Sequence, residues 1–504
     1  MHSLARLCLL LVLTAVVDPS RARAQGPAAA TVLQAFEDAS VKLLEQAEPC
    51  IVAVSKLPSR LPLARREPGK NVFGLGELLE PAAQGHNPFK SDFLPTEFGT
   101  GVLVAPRDKP NERYVLTNFH LVKGGRTFRD PNSKSDSQLF VHLAKHQGAE
   151  ATIYAADARS DLAVLKLERI PGIAEDSLPT LRLFDGETVR KGQLVFTLGN
   201  PYALARDGSP SVSFGMISNI SRLPFAELNR DKNTIHHLGT LLHVDTRLNL
   251  GMSGGALLNQ KGELVGITTA LAALEGYESS VGFAIPINRT TRRIVESLLS
   301  GFEVEYGFLG VQLQNTELEP SSATAGLRNA VQVSQVVPGS PAGLAGLRYG
   351  DLILTVNGRP VFSRDDVMRD IGLAGPGAKI VMQLRGLRTA TVTLGKWPVQ
   401  DADAVIVSQD RYPAWRGVRV DWPTARMAHT DVTTPGASFP EGVLVMAVTP
   451  GSAAAAAPLK VEQLISEIGG RPVRTPEQFR EVTKSLKGDV LVKLTDGRVV
   501  TLRP

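Results

Sequence analysis

A serine flanked by glycines is the residue of this sequence with the clearest capacity for chemistry. Ser253 lies in the run Asn-Leu-Gly-Met-Ser-Gly-Gly at 249–255, where glycines allow a tight backbone bend that exposes the hydroxyl. In such a bend the N–H groups of Gly251 and Ser253 can converge on the oxyanion that forms during acyl transfer. The alternative interpretation is a glycine-rich turn with an incidental serine.

A serine hydroxyl becomes a good nucleophile only when a base removes its proton, so a histidine and an acid are also needed. His120 ends the strand-like run 114–120, and Asp161 directly precedes the apolar run 162–167. Each of the three residues stands at the edge of a β-like run, in the order His, Asp, Ser. This arrangement predicts a catalytic triad where strand ends of two β-barrels meet.

The pattern Gly-x-Ser-x-Gly also occurs in the nucleophile elbow of α/β-hydrolases. That fold requires a helix after the serine and a histidine further along the chain. The segment after Ser253 has the pattern of strand, turn and strand, and the only histidine that follows is His429, far away in the C-terminal part. The sequence therefore favours the double barrel.

The chain that positions these residues has the composition of a soluble globular protein. It contains 504 residues, of which 43% are hydrophobic and 21% charged, and its net charge is +5. These values exclude a disordered, collagen-like or coiled-coil chain. The length predicts two to four domains at about 100 to 200 residues each, and so small a charge excess leads us to expect no nucleic-acid partner.

The first residues have the features of a secretory signal peptide. A basic start at 1–6 precedes an apolar run at 7–17 that is too short to span a bilayer, and Ala-Arg-Ala at 22–24 matches a signal-peptidase site. We expect residues 1–24 to be removed, which leaves no stable membrane span; an uncleaved anchor is the alternative. Cys50 is then the only cysteine, so no internal disulfide is expected.

Periodicity and turn residues predict the elements along the rest of the chain. They are a helix over 31–47, a strand over 50–54, an exposed loop over 56–96, an all-β region over 99–284, and a closing helix at 294–299 between Asn288 and Gly301.

The C-terminal part contains an internal repeat. Gly-Arg-Pro-Val at 358–361 recurs at 470–473, and Val-x-Pro-Gly-Ser ending at Ser340 recurs with its serine at Ser452, both at an offset of 112 residues. Each copy also has a helix-capping pattern, at Ser363 and at Thr475. A duplicated module of about ninety residues explains the common offset. No pattern is evident in the connection at about 397–413.

Six blocks of the sequence resemble the HtrA (Deg) family of trypsin-like serine proteases, in the family's order and over nearly all of the chain after residue 24. They are Thr-Asn-Phe-His-Leu-Val from 117, Asp-Ala-Arg-Ser-Asp-Leu-Ala-Val from 157, Leu-Gly-Asn-Pro from 198, Gly-Met-Ile-Ser from 215, Asn-Leu-Gly-Met-Ser-Gly-Gly from 249, and Gly-Phe-Ala-Ile-Pro from 282.

The resemblance implies a mostly β fold, with a chymotrypsin-like double β-barrel followed by two PDZ domains. The implied boundaries are 25–303 for the protease domain, 304–396 for the first PDZ domain, and 397–504 for the linker and the second. His120 is then the general base, Asp161 its orienting acid and Ser253 the nucleophile, with Gly251 and Ser253 forming the oxyanion hole and no metal or cofactor needed. A homotrimer or larger homo-oligomer is also implied.

The resemblance extends to two binding features. The strand Ile267, Thr268 and Thr269 resembles the wall of a specificity pocket, and its lack of charge favours small or aliphatic residues before the cleaved bond. Phe308, Leu309, Gly310 and Val311 resemble the loop through which a PDZ domain binds peptide C-termini; a plain opening strand is the alternative.

The sequence departs from the family in two places. Met252 stands where asparagine is usual, between the two oxyanion donors. In the second repeat the carboxylate-binding loop is altered to Trp-Arg-Gly-Val at 415–418, and Glu-Gln at 462–463 replaces Gly-Asp at 350–351. We therefore expect the second PDZ domain to act in packing or assembly.

Five further histidines, His142, His146, His236, His237 and His243, lack cysteines or carboxylates at metal-ligand spacing. We interpret them as ordinary strand and surface residues.

Two functions remain open from the sequence. The first is a serine endopeptidase, exported across the inner membrane to the periplasm, that cleaves misfolded or unfolded polypeptides in protein quality control. The second is a proteolytically weak chaperone or peptide-binding adaptor on a protease scaffold, for which Met252 is the only support.

Overall fold

The computed structural model describes residues 27–58, 95, 97–127, 137–145, 147–187, 189–200, 209–221, 241–269, 282–317, 329–399, 406–425 and 441–504. Several predictions fall outside these residues: the signal peptide 1–24, most of the loop 56–96, Pro201 of the third family block, and His146, His236, His237 and His429.

The helices are short, apart from the first. They are α1 Pro27–Ala47, α2 Phe119–Val122, α3 Arg292–Leu299, α4 Pro341–Leu344, α5 Arg364–Ala374, α6 Ala453–Ala456 and α7 Pro476–Thr483, with 3-10 turns at Glu48–Cys50 and Glu175–Ser177. The predicted N-terminal helix is confirmed as α1. Within the described part of the chain, none of the helices combines the length and the apolar character needed to cross a membrane.

A first β-barrel contains six antiparallel strands: β1 Ile51–Pro58, β2 Glu97–Val104, β3 Tyr114–Asn118, β4 Ser137–Leu143, β5 Gln147–Asp157 and β6 Leu162–Leu167. Their order is β5-β4-β1-β2-β3-β6, and pairing of β5 with β6 closes the barrel. All five residues of β3 are buried, because a closed barrel covers both its inner side chains and, here, part of its outer face.

A second closed barrel follows, with β7 Leu194–Gly199, β8 Ser211–Ser221, β9 Leu241–Val244, β10 Ala256–Asn259, β11 Leu264–Thr269 and β12 Gly282–Pro286. Its order is β10-β11-β12-β9-β8-β7, closed by pairing of β10 with β7. Helix α3 ends this region and begins at Arg292, four residues after the predicted start at Asn288. The Asn288 side chain instead accepts from the Thr290 and Thr291 N–H groups, in the turn before the helix.

The two C-terminal modules have the same strand order. The first contains β13 Gly307–Phe308, β14 Val311–Glu317, β15 Asn329–Val336, β16 Leu352–Val356, β17 Arg359–Pro360, β18 Lys379–Leu384, β19 Thr389–Thr393 and β20 Gly395–Lys396. After the linker strand β21 Ile406–Val407, the second contains β22 Val418–Asp421, β23 Val443–Val448, β24 Leu464–Ile468, β25 Arg471–Pro472, β26 Val490–Leu494 and β27 Val499–Leu502. Their sheets run β14-β15-β16-β18-β19 and β22-β23-β24-β26-β27, as expected for a duplication.

The local signals predicted in each module are present. In the first, Ser363 and Asp366 form a complete capping box at the start of α5. In the second, the Thr475 hydroxyl accepts from the Gln478 N–H group at the start of α7. The alternating burial of β18 and β26 places every second side chain in the module core. The double barrel followed by two PDZ-like modules confirms the predicted fold class.

Candidate active site

His120 and Asp161 form a close pair at the edge of the first barrel. The Nδ1 atom of His120 lies 2.8 Å from Oδ2 and 3.0 Å from Oδ1 of Asp161. The backbone N–H of His120 also donates to Asp161 Oδ1, at 3.0 Å. The carboxylate is fully buried whereas the imidazole is 23% exposed. Because Asp161 holds Nδ1, the other ring nitrogen, Nε2, is the one left to exchange a proton with a substrate or a nucleophile.

Local structure fixes both residues. His120 lies in the short helix α2, directly after β3, rather than in the strand itself. Asp161 ends the turn between β5 and β6 with a φ of +54°, which is uncommon for a residue other than glycine. Its carbonyl oxygen accepts from the Phe119 N–H and from the Asn118 side chain, both at 3.0 Å. These bonds join the Asp161 turn to the segment that carries His120.

Ser253 lies in the glycine-rich loop between β9 and β10, on the second barrel. Positive φ values at Gly251 (+93°) and Gly254 (+83°) produce the predicted tight bend. A Cβ atom at Gly254 would lie 2.0 Å from the backbone oxygen of Thr100. The loop therefore packs so closely on the first barrel that glycine is required there.

Thr100, at the middle of β2, connects the serine loop to the first barrel. Its N–H donates to the Ser253 carbonyl oxygen at 2.8 Å, and its hydroxyl donates to the Gly251 carbonyl oxygen at 2.7 Å. Its own carbonyl oxygen accepts from the Thr117 hydroxyl at 2.7 Å, three residues before His120. The structure thus places the serine loop beside the strand that leads to the histidine. Sequence reasoning missed Thr100, because a threonine inside a strand carries no motif.

The predicted pocket strand β11 contacts the same machinery. The Thr269 hydroxyl donates to Asp161 Oδ2 at 3.4 Å, and the Thr268 hydroxyl donates to the Met252 carbonyl oxygen at 2.5 Å. Ile267 is fully buried in the barrel core. The side chains of this strand thus position the acid and the serine loop, and a role as the wall of a specificity pocket stays a prediction.

Met252, which departs from the family pattern, points into the protein. The residue is 3% exposed, and its Sδ atom would lie 2.9 Å from a Cβ atom built on Gly199. Its N–H donates to the Asn249 carbonyl oxygen at 3.0 Å. The thioether therefore fills the interior beside β7, and an oxyanion hole formed by Gly251 and Ser253 stays a prediction.

The loops at 308–311 and 415–418 share one turn and differ in one pairing. Gly310 and Gly417 have φ values of +82° and +84°, and their carbonyl oxygens accept from the N–H groups of Val337 and Thr449 at 3.0 and 2.8 Å. In the second, Trp415 and Val418 exchange both N–H to carbonyl bonds with each other, at 2.9 and 3.0 Å. Those two N–H groups are thereby used inside the loop. The expectation that the second module acts in packing or assembly stays a prediction.

The other histidines in the described ranges have local roles. His142 packs its ring edge-on against Phe140, and His243 does the same against Phe283. Burial, with a smaller contribution from Lys191, lowers the pKa of His243. Among the described residues, no group of three or more His, Cys, Asp or Glu side chains is arranged to hold a metal ion.

Comparison with known families supports the chemistry that this geometry indicates. The model of a trypsin-like peptidase domain matches residues 99–267, and that of a PDZ domain matches residues 332–385. A DegP-like periplasmic serine endoprotease of Halomonas elongata is 30% identical over 468 residues, which cover 89% of this chain and 88% of the relative. One of Hahella chejuensis is 31% identical over 394 residues, covering 77% and 75%. A solved structure, the HtrA-type protease AlgW with a tripeptide, is 24% identical with a TM-score of 0.48, covering 72% of this chain and 98% of AlgW.

The similarity to the Halomonas elongata relative extends over 89% of this chain. The chain also holds a close His–Asp pair and a serine in a loop bent at two glycines. The chain therefore belongs to the HtrA (Deg) family of serine proteases.

Proposed function

We propose that the protein is a periplasmic serine endopeptidase that cleaves misfolded or unfolded polypeptides in protein quality control, with His120, Asp161 and Ser253 as its catalytic triad. The observation that carries the triad is the bond between His120 Nδ1 and the buried Asp161 carboxylate, at 2.8 Å, next to the loop of Ser253. Membership in a family of serine proteases supports the peptide bond as the substrate.

In the proposed mechanism, the Ser253 hydroxyl transfers its proton to Nε2 of His120 as its oxygen attacks the carbonyl carbon of the substrate. The N–H groups of Gly251 and Ser253 stabilise the resulting oxyanion. His120 then donates the proton to the leaving amine, and water hydrolyses the acyl-enzyme by the reverse sequence of proton transfers. Asp161 keeps the proton of the neutral imidazole on Nδ1 and stabilises the imidazolium.

Cleavage of unfolded casein by matched serine variants tests this function. Ser253→Ala should lower kcat on the order of a millionfold, because no other group can form the acyl-enzyme. Ser300→Ala is the control, because Ser300 is exposed just after α3. This variant should cleave casein at the rate of the wild type. Equal cleavage by Ser253→Ala and the wild type, or no cleavage by the wild type, would refute the proposal.

The proposed location in the periplasm is supported by the features of residues 1–24 and by relatives that are named periplasmic. We propose that export across the inner membrane is followed by removal of these residues.

We propose that the first module binds peptide C-termini through the loop at 308–311. Among the described residues, strand β14 pairs with β15 alone and lies at the edge of its sheet, so an extended peptide can add to its other side. The loop directly precedes that edge. A peptide carboxylate bound to the loop would therefore continue along β14.

We also propose that the protein assembles as a homotrimer or larger oligomer through its protease domains. Phe36 of α1 and Phe214 of β8 contact each other edge-to-face at 5.7 Å and are 39% and 49% exposed. Val212 and Met216, on the same face of β8 as Phe214, are 39% and 40% exposed. An exposed apolar surface that joins two elements is typical of a contact between protein chains.

The chaperone or adaptor alternative has no comparable support. Its only basis was Met252, and that side chain is buried against Gly199 rather than placed in the cleft.

A further inference from the structure

A cluster of buried charges lies where the segment that leaves the second barrel meets both C-terminal modules. Lys396, at the end of β20, is only 4% exposed. Its Nζ atom lies 2.7 Å from Glu303 Oε2, 2.7 Å from Asp421 Oδ2 and 3.6 Å from Glu305 Oε1. One lysine of the first module thus joins two carboxylates of segment 303–306 and one of the second module.

The other side of segment 303–306 contacts the turn of Asp161. The guanidinium of Arg159 lies 3.7 Å from Glu303, donates to the Val304 carbonyl oxygen at 2.7 Å and lies over the Tyr306 ring. The Tyr306 hydroxyl donates to Asp157 Oδ2 at 2.7 Å. Although burial alone would raise the pKa of Glu303, the nearby Lys396 and Arg159 bring it below its ordinary value. Glu303 is therefore held between the two cations.

Asp157 organises the turn that ends at Asp161. Its Oδ1 accepts from Arg159 Nε at 2.7 Å, and its Oδ2 accepts from the Ser160 N–H at 3.1 Å. This carboxylate and Arg159 thereby hold the turn in which Asp161 adopts its positive φ. A residue in that region of backbone conformation persists only when its surroundings hold it there.

The linker between the modules reaches the same point independently. Strand β21 adds to the edge of the first barrel, where Ile406 pairs with Asp157 and Val407 pairs with Ala156. The linker backbone and the ion cluster therefore both depend on Asp157.

Stability alone is a weak explanation for this cluster, because burying ion pairs costs desolvation free energy that a hydrophobic replacement avoids. A cluster that fixes geometry between distant parts of the chain is a better explanation. We propose that Arg159 and Glu303 are positioning residues through which the docked C-terminal modules hold Asp161, and with it His120, in the geometry for proton transfer. The inference rests on the proposed catalytic role of Asp161.

The test is the Glu303→Gln variant of the full-length protein. This substitution keeps the shape of the side chain and removes the negative charge that interacts with both Lys396 and Arg159. Cleavage of labelled β-casein is measured as kcat and KM, with active sites counted by the end-point of labelling with a fluorophosphonate. We expect kcat per labelled site to fall about twofold to thirtyfold, with KM and the end-point unchanged. A purely structural defect would instead lower the end-point and leave kcat per site intact.

Glu168→Gln is the matched control. Glu168 follows β6 at the end remote from Asp161, is 49% exposed and pairs with Arg126, so its loss should change neither quantity. A Glu303→Gln enzyme with the same kcat per site as this control would overturn the inference, even though Ser253→Ala is inactive and the proposed function stands. Cleavage by Ser253→Ala would overturn the function itself.

A second variant is used if Glu303→Gln folds poorly and the fluorophosphonate labels few of its active sites. Asp421→Asn removes the partner of Lys396 in the second module, one step further from the Asp161 turn. A lower kcat per labelled site supports the inference, and a value equal to that of the Glu168→Gln control overturns it.

Discussion

Replacing Glu305 by glutamine should remove a pH dependence that this buried carboxyl group imposes on the free energy of unfolding. Burial raises the pKa of Glu305 from 4.5 to about 7, although Lys396 and Arg411 act in the opposite direction. The charged and titratable groups that face it are Lys396, Arg411, Arg293, Tyr412, Asp421 and Glu303.

The sign follows from proton binding. A carboxyl group with a higher pKa in the folded chain binds more protons when the chain is folded. Its stabilising contribution to the free energy of unfolding is therefore fully present below about pH 4.5 and is lost as the pH rises through 7. At 1.36 kcal/mol per pH unit, the loss amounts to about 3 kcal/mol, of which about 2.5 kcal/mol falls between pH 5 and pH 8. The glutamine of the Glu305→Gln variant cannot lose a proton. From pH 5 to pH 8, its free energy of unfolding should therefore rise by about 2.5 kcal/mol relative to that of the wild type.

Urea unfolding followed by tryptophan fluorescence measures this difference. All three tryptophans lie at 397, 415 and 422, adjacent to Lys396 and Asp421 or within the second module, so the signal reports on the cluster. The urea concentration at the unfolding midpoint should be increasingly higher for Glu305→Gln than for the wild type as the pH rises from 5 to 8. The difference in midpoint between Glu168→Gln and the wild type should stay constant. Parallel pH dependence of Glu305→Gln and the wild type would refute the reasoning.

Two further predictions concern the apolar surface and the thiol. Phe214→Ser should shift the oligomer to a smaller mass in light scattering, whereas Phe362→Ser, at a 55% exposed site of the first module, should not; an unchanged mass for Phe214→Ser would remove this surface as the interface. Burial raises the pKa of Cys50 to about 12, so in a Cys8→Ser background the native protein should react with a disulfide reagent at pH 8 roughly a thousandfold more slowly than in urea. Comparable rates would show that the thiol is accessible.

Much of the fold was predictable because its signals are local. Turn residues and short apolar runs predict strands wherever they occur, and the repeat offset of 112 residues predicts two like modules, since duplicated sequence folds alike. The bend at Ser253 was predictable for the same reason, because the glycines that it requires are its neighbours in the chain.

Contacts between distant segments were not predictable where the residues belong to no motif. Thr100 supports the serine loop from 151 residues away, at Gly251, and a threonine within a strand has no pattern that distinguishes it. The linker at 397–413 showed no pattern, yet β21 completes an edge of the first barrel there, because two residues are too few to produce a periodicity.

The sequence by itself predicted the residues for acyl transfer, and it determined the β-rich character of the barrels and the duplication of the C-terminal part, because each of these signals lies in short stretches of neighbouring residues. Only the tertiary structure decided that Met252 turns inward and that Lys396 lies among carboxylates 93 and 25 residues away. Burial and the pairing of charges are properties of the packed chain, and no short stretch of sequence encodes them.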